Sequence, residues 1–128
     1  MTQKKLKLSV LEDLFTIHRF PANYDIPEQI YESKFYSISK TEDELSIACD
    51  SSILLNSEET EAGWSCIKVL GPLDFSLTGI LADISAVLAK AEISIFALST
   101  FDTDYILVKS EQILFAKDAL LTSGYTFK

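Results

Sequence analysis

The chain has 128 residues, 48% of them apolar and 23% charged, and a net charge of −8 at pH 7. That length suits one globular domain or two very small ones sharing a core, and with four glycines and three prolines no long flexible linker is evident. The acidic balance argues against a nucleic-acid partner, which needs clustered Lys and Arg; the short basic run of Lys4, Lys5 and Lys7 reads as a solvated patch.

No apolar run approaches the roughly 20 residues that cross a bilayer. The start, MTQKKLKLSV, lacks an apolar segment ending in a small-residue cleavage site. No membrane association is therefore expected, and a cytoplasmic location is. Cys49 and Cys66 each sit in an apolar alternation and read as buried free thiols of a reducing compartment, not as a disulfide or a metal pair.

In chain order, LKLSVL (6–11) and LFTIHRF (14–20) read as strands separated by Glu12-Asp13. IPEQIYES (26–33) reads as a short helix with Pro27 in its first turn. FYSIS (35–39) and ELSIACD (44–50) form a hairpin around the charged turn KTED (40–43). SSILLNS (51–57) suits a short helix or an edge strand, and SEETEAG (57–63) a polar connector at the boundary between two domains. The topology of the first 33 residues stays open.

From Trp64 the periodicities sharpen. WSCIKVL (64–70) is a strand ended by Gly71-Pro72. Over 79–91, Ile80, Leu81, Ile84, Val87, Leu88 and Ala91 line one helix face and leave Asp83 and Lys90 to water. ISIFALSTF (93–101) reads as a buried strand, and DYILVK (104–109) returns beside it across a short turn at Asp102-Thr103. A second helix near 111–123 has Ile113, Ala116 and Leu120 along one side and Gly124 as its C-cap; YTF (125–127) adds a last strand. The order βαββαβ is the split βαβ plan of ferredoxin-like α+β folds, with both helices on one face of an antiparallel sheet. Two domains are expected, a smaller one over 1–62, in which a weaker βα unit with a degenerate first helix fits, and a ferredoxin-like one over 63–128.

A right-handed crossover starts its helix at the edge where both flanking parallel strands end. That edge collects GPLDFSLTG (71–79) and STFDTD (99–104). A third strand between the two parallel ones separates them by roughly 10 Å, two interstrand spacings. Free amides at Thr78, Gly79 and Ile80 suit a carboxylate, with Gly79 permitting close backbone approach. Asp102 or Asp104 suits an ammonium. An α-amino acid carries both groups. The plainer reading stands beside this one: Asp102 and Thr103 are common turn residues, and Ser76 or Thr78 is a common helix cap.

Catalysis and metal binding find no support. His18 is the single histidine, mid-strand, so neither a metal site nor a nucleophile–base pair can be assembled, and no phosphate-binding glycine motif occurs. Glu58, Glu59 and Glu61 read as a solvated connector, and Trp64 as a core residue.

GPLDFSLTGILADISAVLAKAEISIFALSTFDTDYILV (71–108) resembles the signature of ACT domains of the type found in the cytosolic arginine-sensor (CASTOR) family and in small bacterial tandem-ACT proteins. KFYSISKTEDELSIACD (34–50) is similar to the end of the preceding ACT-like unit of those proteins. The resemblance implies a βαββαβ regulatory fold, ACT-like in both domains, that binds amino acids and is no enzyme. Its implied ligand positions are Thr78, Gly79, Ile80, Thr100, Phe101 and Asp104, with Asp104 meeting the amine. Leu77 stands where the arginine sensors carry an acidic residue, so an amino acid is implied as the ligand class and arginine itself is not. Asp102 has no matching acid and stays a turn residue. No cofactor or metal is implied. A homodimer is expected by analogy, with an unidentified regulated protein partner. The alternative is a protein-interaction module with a vestigial ligand pocket.

Overall fold

A computed structural model describes residues 6–71 and 79–128. The element order is β1 (Lys7–Val10), β2 (Phe15–Phe20), a 3-10 turn (Glu28–Glu32), β3 (Tyr36–Lys40), β4 (Leu45–Asp50), β5 (Glu59–Val69), α1 (Ile80–Lys90), β6 (Ile95–Ser99), β7 (Asp104–Lys109), a 3-10 turn (Ser110–Gln112), α2 (Ile113–Thr122) and β8 (Thr126–Phe127). The chain divides into two compact units: residues 13–64, the N-terminal unit, and residues up to 12 together with 65–128, the C-terminal unit. β1 thus belongs with the end of the chain.

In the C-terminal unit the strand order is β6-β7-β5-β1-β8. β6 and β7 pair antiparallel, as do β1 and β5, whereas β1 and β8 run parallel through Lys7↔Thr126 and Leu8↔Phe127. The split βαβ arrangement is present, with β1 inserted between its first and last strands. Alternate residues of the strands, Ile67 and Val69 of β5, Ile106 and Val108 of β7 and Leu8 of β1, meet Ile84 and Leu88 of α1 and Ala116 and Leu120 of α2 in one core. Both helices therefore cover the same sheet face, as their apolar spacing requires. Each of the Val, Ile and Leu side chains among them contributes about 1.5–3 kcal/mol by leaving water. α2 ends at Thr122 with Ser123 as its C-cap, and Gly124 follows with φ 103°, the left-handed conformation that a glycine adopts without a Cβ clash.

In the N-terminal unit the order is β3-β4-β2-β5, with β2 antiparallel to both β4 and β5. This is again a split βαβ order. The 3-10 turn Glu28–Glu32 stands in the first helix's place, and residues 51–58, turns and irregular chain, stand in the second's. Phe20, Ile30, Leu45, Ile47 and Cys49 form its core. Cys49 and Cys66 are buried free thiols, and burial pushes them up to about 11 and about 12, far from reactive thiolates.

Four local expectations need correction. SEETEAG (57–63) is no connector from its third residue on: Glu59, Glu61 and Gly63 lie in β5, whose first four residues are exposed. SSILLNS (51–57) forms neither helix nor strand. β6 is only half-buried, because among the described residues β7 alone pairs with it and it forms the edge of the sheet. Asp83 is not left to water: it is half-buried and accepts a hydrogen bond from the Tyr125 hydroxyl.

Candidate functional site

Thr78 and Leu77 lie outside the described residues. Gly79 is the N-cap of α1, with φ 80°, and as a glycine it offers no side chain to cap the helix start. Its carbonyl accepts from the Asp83 N–H at 2.9 Å, closing the first turn. The positive φ is the reason for a glycine here, since a Cβ at this position would meet no atom of the described residues within 4 Å. The first-turn amides, Ile80 among them, have no partner inside the helix and form the positive end of its dipole. The Ile80 side chain packs on the core, so only its backbone is available to a ligand.

β6 and β7 end on the pair Ser99↔Asp104, so the connection is the four-residue loop 100–103 and not the two-residue turn expected. Thr100 closes it twice, its N–H donating to the Thr103 carbonyl at 2.8 Å and its hydroxyl to the same oxygen at 3.1 Å. The Thr103 N–H donates back to Thr100 Oγ1 at 3.3 Å. Thr103, 4% exposed, donates its own hydroxyl to the Val69 carbonyl at 2.5 Å. That bond ties the loop to the last residue of β5, after which the chain runs on toward α1. Ser99 Oγ donates to Asp104 Oδ1 at 2.6 Å across the strand ends. Phe101, 79% exposed, forms the loop tip beside exposed Asp102.

The hydroxyls of this polar stretch therefore divide their work. Thr100 and Thr103 build and anchor the loop, while Ser99 orients the carboxylate of Asp104. Sequence reasoning missed Ser99 and Thr103, because nothing in a threonine among turn residues announces a partner 34 positions away. β7 lies between β5 and β6, as the crossover argument requires. On the helix side, burial first and the Asp83 bond second raise the Tyr125 phenol far above its ordinary range, so the hydroxyl stays a donor that fixes the first turn of α1.

Elsewhere, His18 is 4% exposed and its Nδ1 lies 2.7 Å from Ser57 Oγ; burial lowers its affinity for a proton. Among the described residues no three His, Cys, Asp or Glu side chains gather as a metal site would need. Trp64 is buried and donates from Nε1 to the Glu61 carbonyl at 3.1 Å. Among the described residues no helix is long and apolar enough to cross a membrane.

A family model described as an ACT domain matches residues 59–122, and a second model, of an N-terminal domain, matches residues 13–54. Among curated proteins, the "Cytosolic arginine sensor for mTORC1 subunit 1" of Pongo abelii is 33% identical and that of Homo sapiens 32%, each match covering 88% of this chain and 37% of the relative. The chain thus spans a little over a third of the length of these relatives. Among solved structures, protein Atu0741 from Agobacterium tumefaciens is 35% identical, with a TM-score of 0.90 over 98% of this chain and 94% of that one. The aspartate kinase of Clostridium acetobutylicum, an allosteric enzyme, is 14% identical and shares the fold, with a TM-score of 0.68 over 94% of this chain and 36% of its own. The match runs from β5 to the end of α2, within the βαββαβ order that β8 completes, and with the identity to the curated relatives the chain belongs to the ACT domain family.

Proposed function

We propose that the chain is a non-enzymatic regulatory protein that binds a small amino acid at the edge where α1 begins and β6 gives way to β7. The carboxylate of the ligand meets the backbone amides of Gly79 and Ile80 at the start of α1, with Thr78 a further contact expected from the sequence. Its ammonium meets Asp104, whose carboxylate is oriented by Ser99 and keeps acceptor capacity beyond that one bond. Thr100, its hydroxyl committed to the loop, contributes backbone, and Phe101 contributes apolar cover. The observation that carries this reading is the built loop: a buried threonine anchor to Val69 holds the Ser99–Asp104 pair at the sheet end from which the chain leaves for α1. ACT domains are amino-acid-binding regulatory modules, and the names of the curated relatives fit that class. Leu77 in place of an acid argues for a ligand other than arginine. A cytoplasmic location, a homodimer and a regulated protein partner accord with the same reading.

Thermal melts with each common amino acid at millimolar concentration test it. A ligand at 100 times its dissociation constant adds about 2.7 kcal/mol. The parent chain is expected to melt higher with at least one amino acid, and Asp104→Asn to fold normally and lose that shift. A shift retained in Asp104→Asn would place the amine elsewhere. No shift with any amino acid would favour the second reading, a docking module with a vestigial pocket, for which exposed Phe101, Leu114 and Phe115 supply apolar surface.

A further inference from the structure

Within the N-terminal unit, the loop that leaves β2 meets the irregular segment that follows β4, and the two enclose an open cavity of about 560 Å³. That volume is within the range of ligand pockets. The loop is pinned: the Tyr24 N–H donates to the Pro21 carbonyl at 3.0 Å and the Ile30 N–H to the Pro27 carbonyl at 3.3 Å, with the Ile30 side chain fully buried. The irregular segment is held by the bond between His18 and Ser57, the residue after Asn56. Walls positioned before binding lose little freedom on binding. Asn23, Asp25, Gln29 and Asn56 line the cavity, and among the described residues none of these four side chains has a hydrogen-bond or ion-pair partner. Tyr24 lines it as well. Its ring is 43% exposed and stacks on buried Phe20, with centroids 4.6 Å apart and planes at 21°. Leu55, packed on the core of the unit, adds apolar wall. No lysine or arginine lines the cavity. Residues 13–64 hold three basic and eleven acidic side chains, and so carry the whole net charge of −8, a field that disfavours an anionic ligand.

We propose that this cavity binds a guanine base, free or as its nucleoside. Proteins read an unpaired base by hydrogen bonds to its edge and by stacking it on aromatic or apolar side chains. The stack of Phe20 and Tyr24 is open at its Tyr24 end, where a third flat ring extends it. A carboxylate can only accept hydrogen bonds. Among the common bases guanine alone sets two N–H donors side by side, at N1 and at the 2-amino group. Adenine and cytosine place an acceptor next to the amino group, and uracil flanks its N–H with carbonyls. Asp25 takes the donor pair, and the amides of Asn23, Gln29 and Asn56 supply donors for O6 and N7. The phosphate of a nucleotide would find no cation here. This site lies wholly within residues 13–64 and does not involve the Asp104 edge.

The test titrates the full chain with guanosine and follows amide shifts by NMR. Saturable shifts centred on Tyr24, Asp25 and Asn56 are expected. Adenosine should bind at least about tenfold more weakly, because it offers no adjacent donor pair. Asp25→Asn is expected to weaken guanosine about tenfold and to erase its preference over adenosine. Asp25 lies in an exposed loop, and the same spectra report whether the variant is folded. Guanosine monophosphate should bind more weakly than guanosine. 9-Methylguanine, which lacks the ribose, separates the two sources: affinity equal to that of guanosine assigns the base alone, and weaker binding assigns the nucleoside. Absence of shifts at Tyr24 and Asn56, equal affinity for guanosine and adenosine, or a preference that survives Asp25→Asn overturns the proposal.

Discussion

Thr103 shows how one hydroxyl can decide where a loop sits. It is buried, and its bond to the Val69 carbonyl satisfies a backbone acceptor at the last residue of β5. Thr103→Val keeps the shape and removes the donor, and losing that buried hydrogen bond costs about 0.5–1.5 kcal/mol. Urea denaturation should show that loss, and a ligand-induced melting shift should shrink with it, because loop 100–103 then loses its tie to β5. Gly79 poses a different question at the same scale. Gly79→Ala meets no neighbour, so any cost, about 1 kcal/mol, comes from forcing φ 80° on a residue with a Cβ and not from crowding.

The informative case among the elements is β5. Its first residues, ETEA, are exposed and polar, so no alternation marks them as strand, and sequence reasoning takes them for a connector. Pairing decides otherwise: Arg19↔Glu59, His18↔Thr60 and Ile17↔Glu61 extend the strand along β2. β6 errs in the opposite direction, since its apolar composition predicts burial whereas its place at the sheet edge leaves it half-open. β2 carries a pH-dependent element. His18 is buried beside Ser57 with its Nε2 unpartnered, and burial lowers its pKa from 6.5. Below that value the unfolded chain therefore binds more protons than the folded one. Stability should fall as pH drops through 6.5 toward the folded value. Urea midpoints over that range, compared between the parent and His18→Phe, should show a shallower acid-side loss in the variant.

For the chain as a whole, the return of β1 to the C-terminal unit matters most. Leu8 is fully buried in the same core as Ile84 and Leu120, and β1 stands between β5 and β8. Leu8→Ala should cost about 2–5 kcal/mol by urea denaturation, as for other large-to-small core changes. A fragment of residues 63–128 lacks β1 and leaves the facing edges of β5 and β8 unpaired. Circular dichroism should show it without a cooperative melt, and adding a peptide of residues 1–12 should restore one.

The sequence by itself determined what local pattern can encode. Helical spacing over 79–91 and 111–123, the strands around them and their order follow from side-chain periodicity, and they suffice for the split βαβ plan and for the edge where Gly79 and the 99–104 stretch belong. Tertiary structure alone decided which strand fills the slot between β5 and β8, that the ETEA segment is paired chain, and that Thr103 reaches Val69 while Ser99 reaches Asp104. These are contacts between residues distant in sequence or choices among equivalent turn hydroxyls. Periodicity reports which face a residue prefers, not which neighbour it finds there.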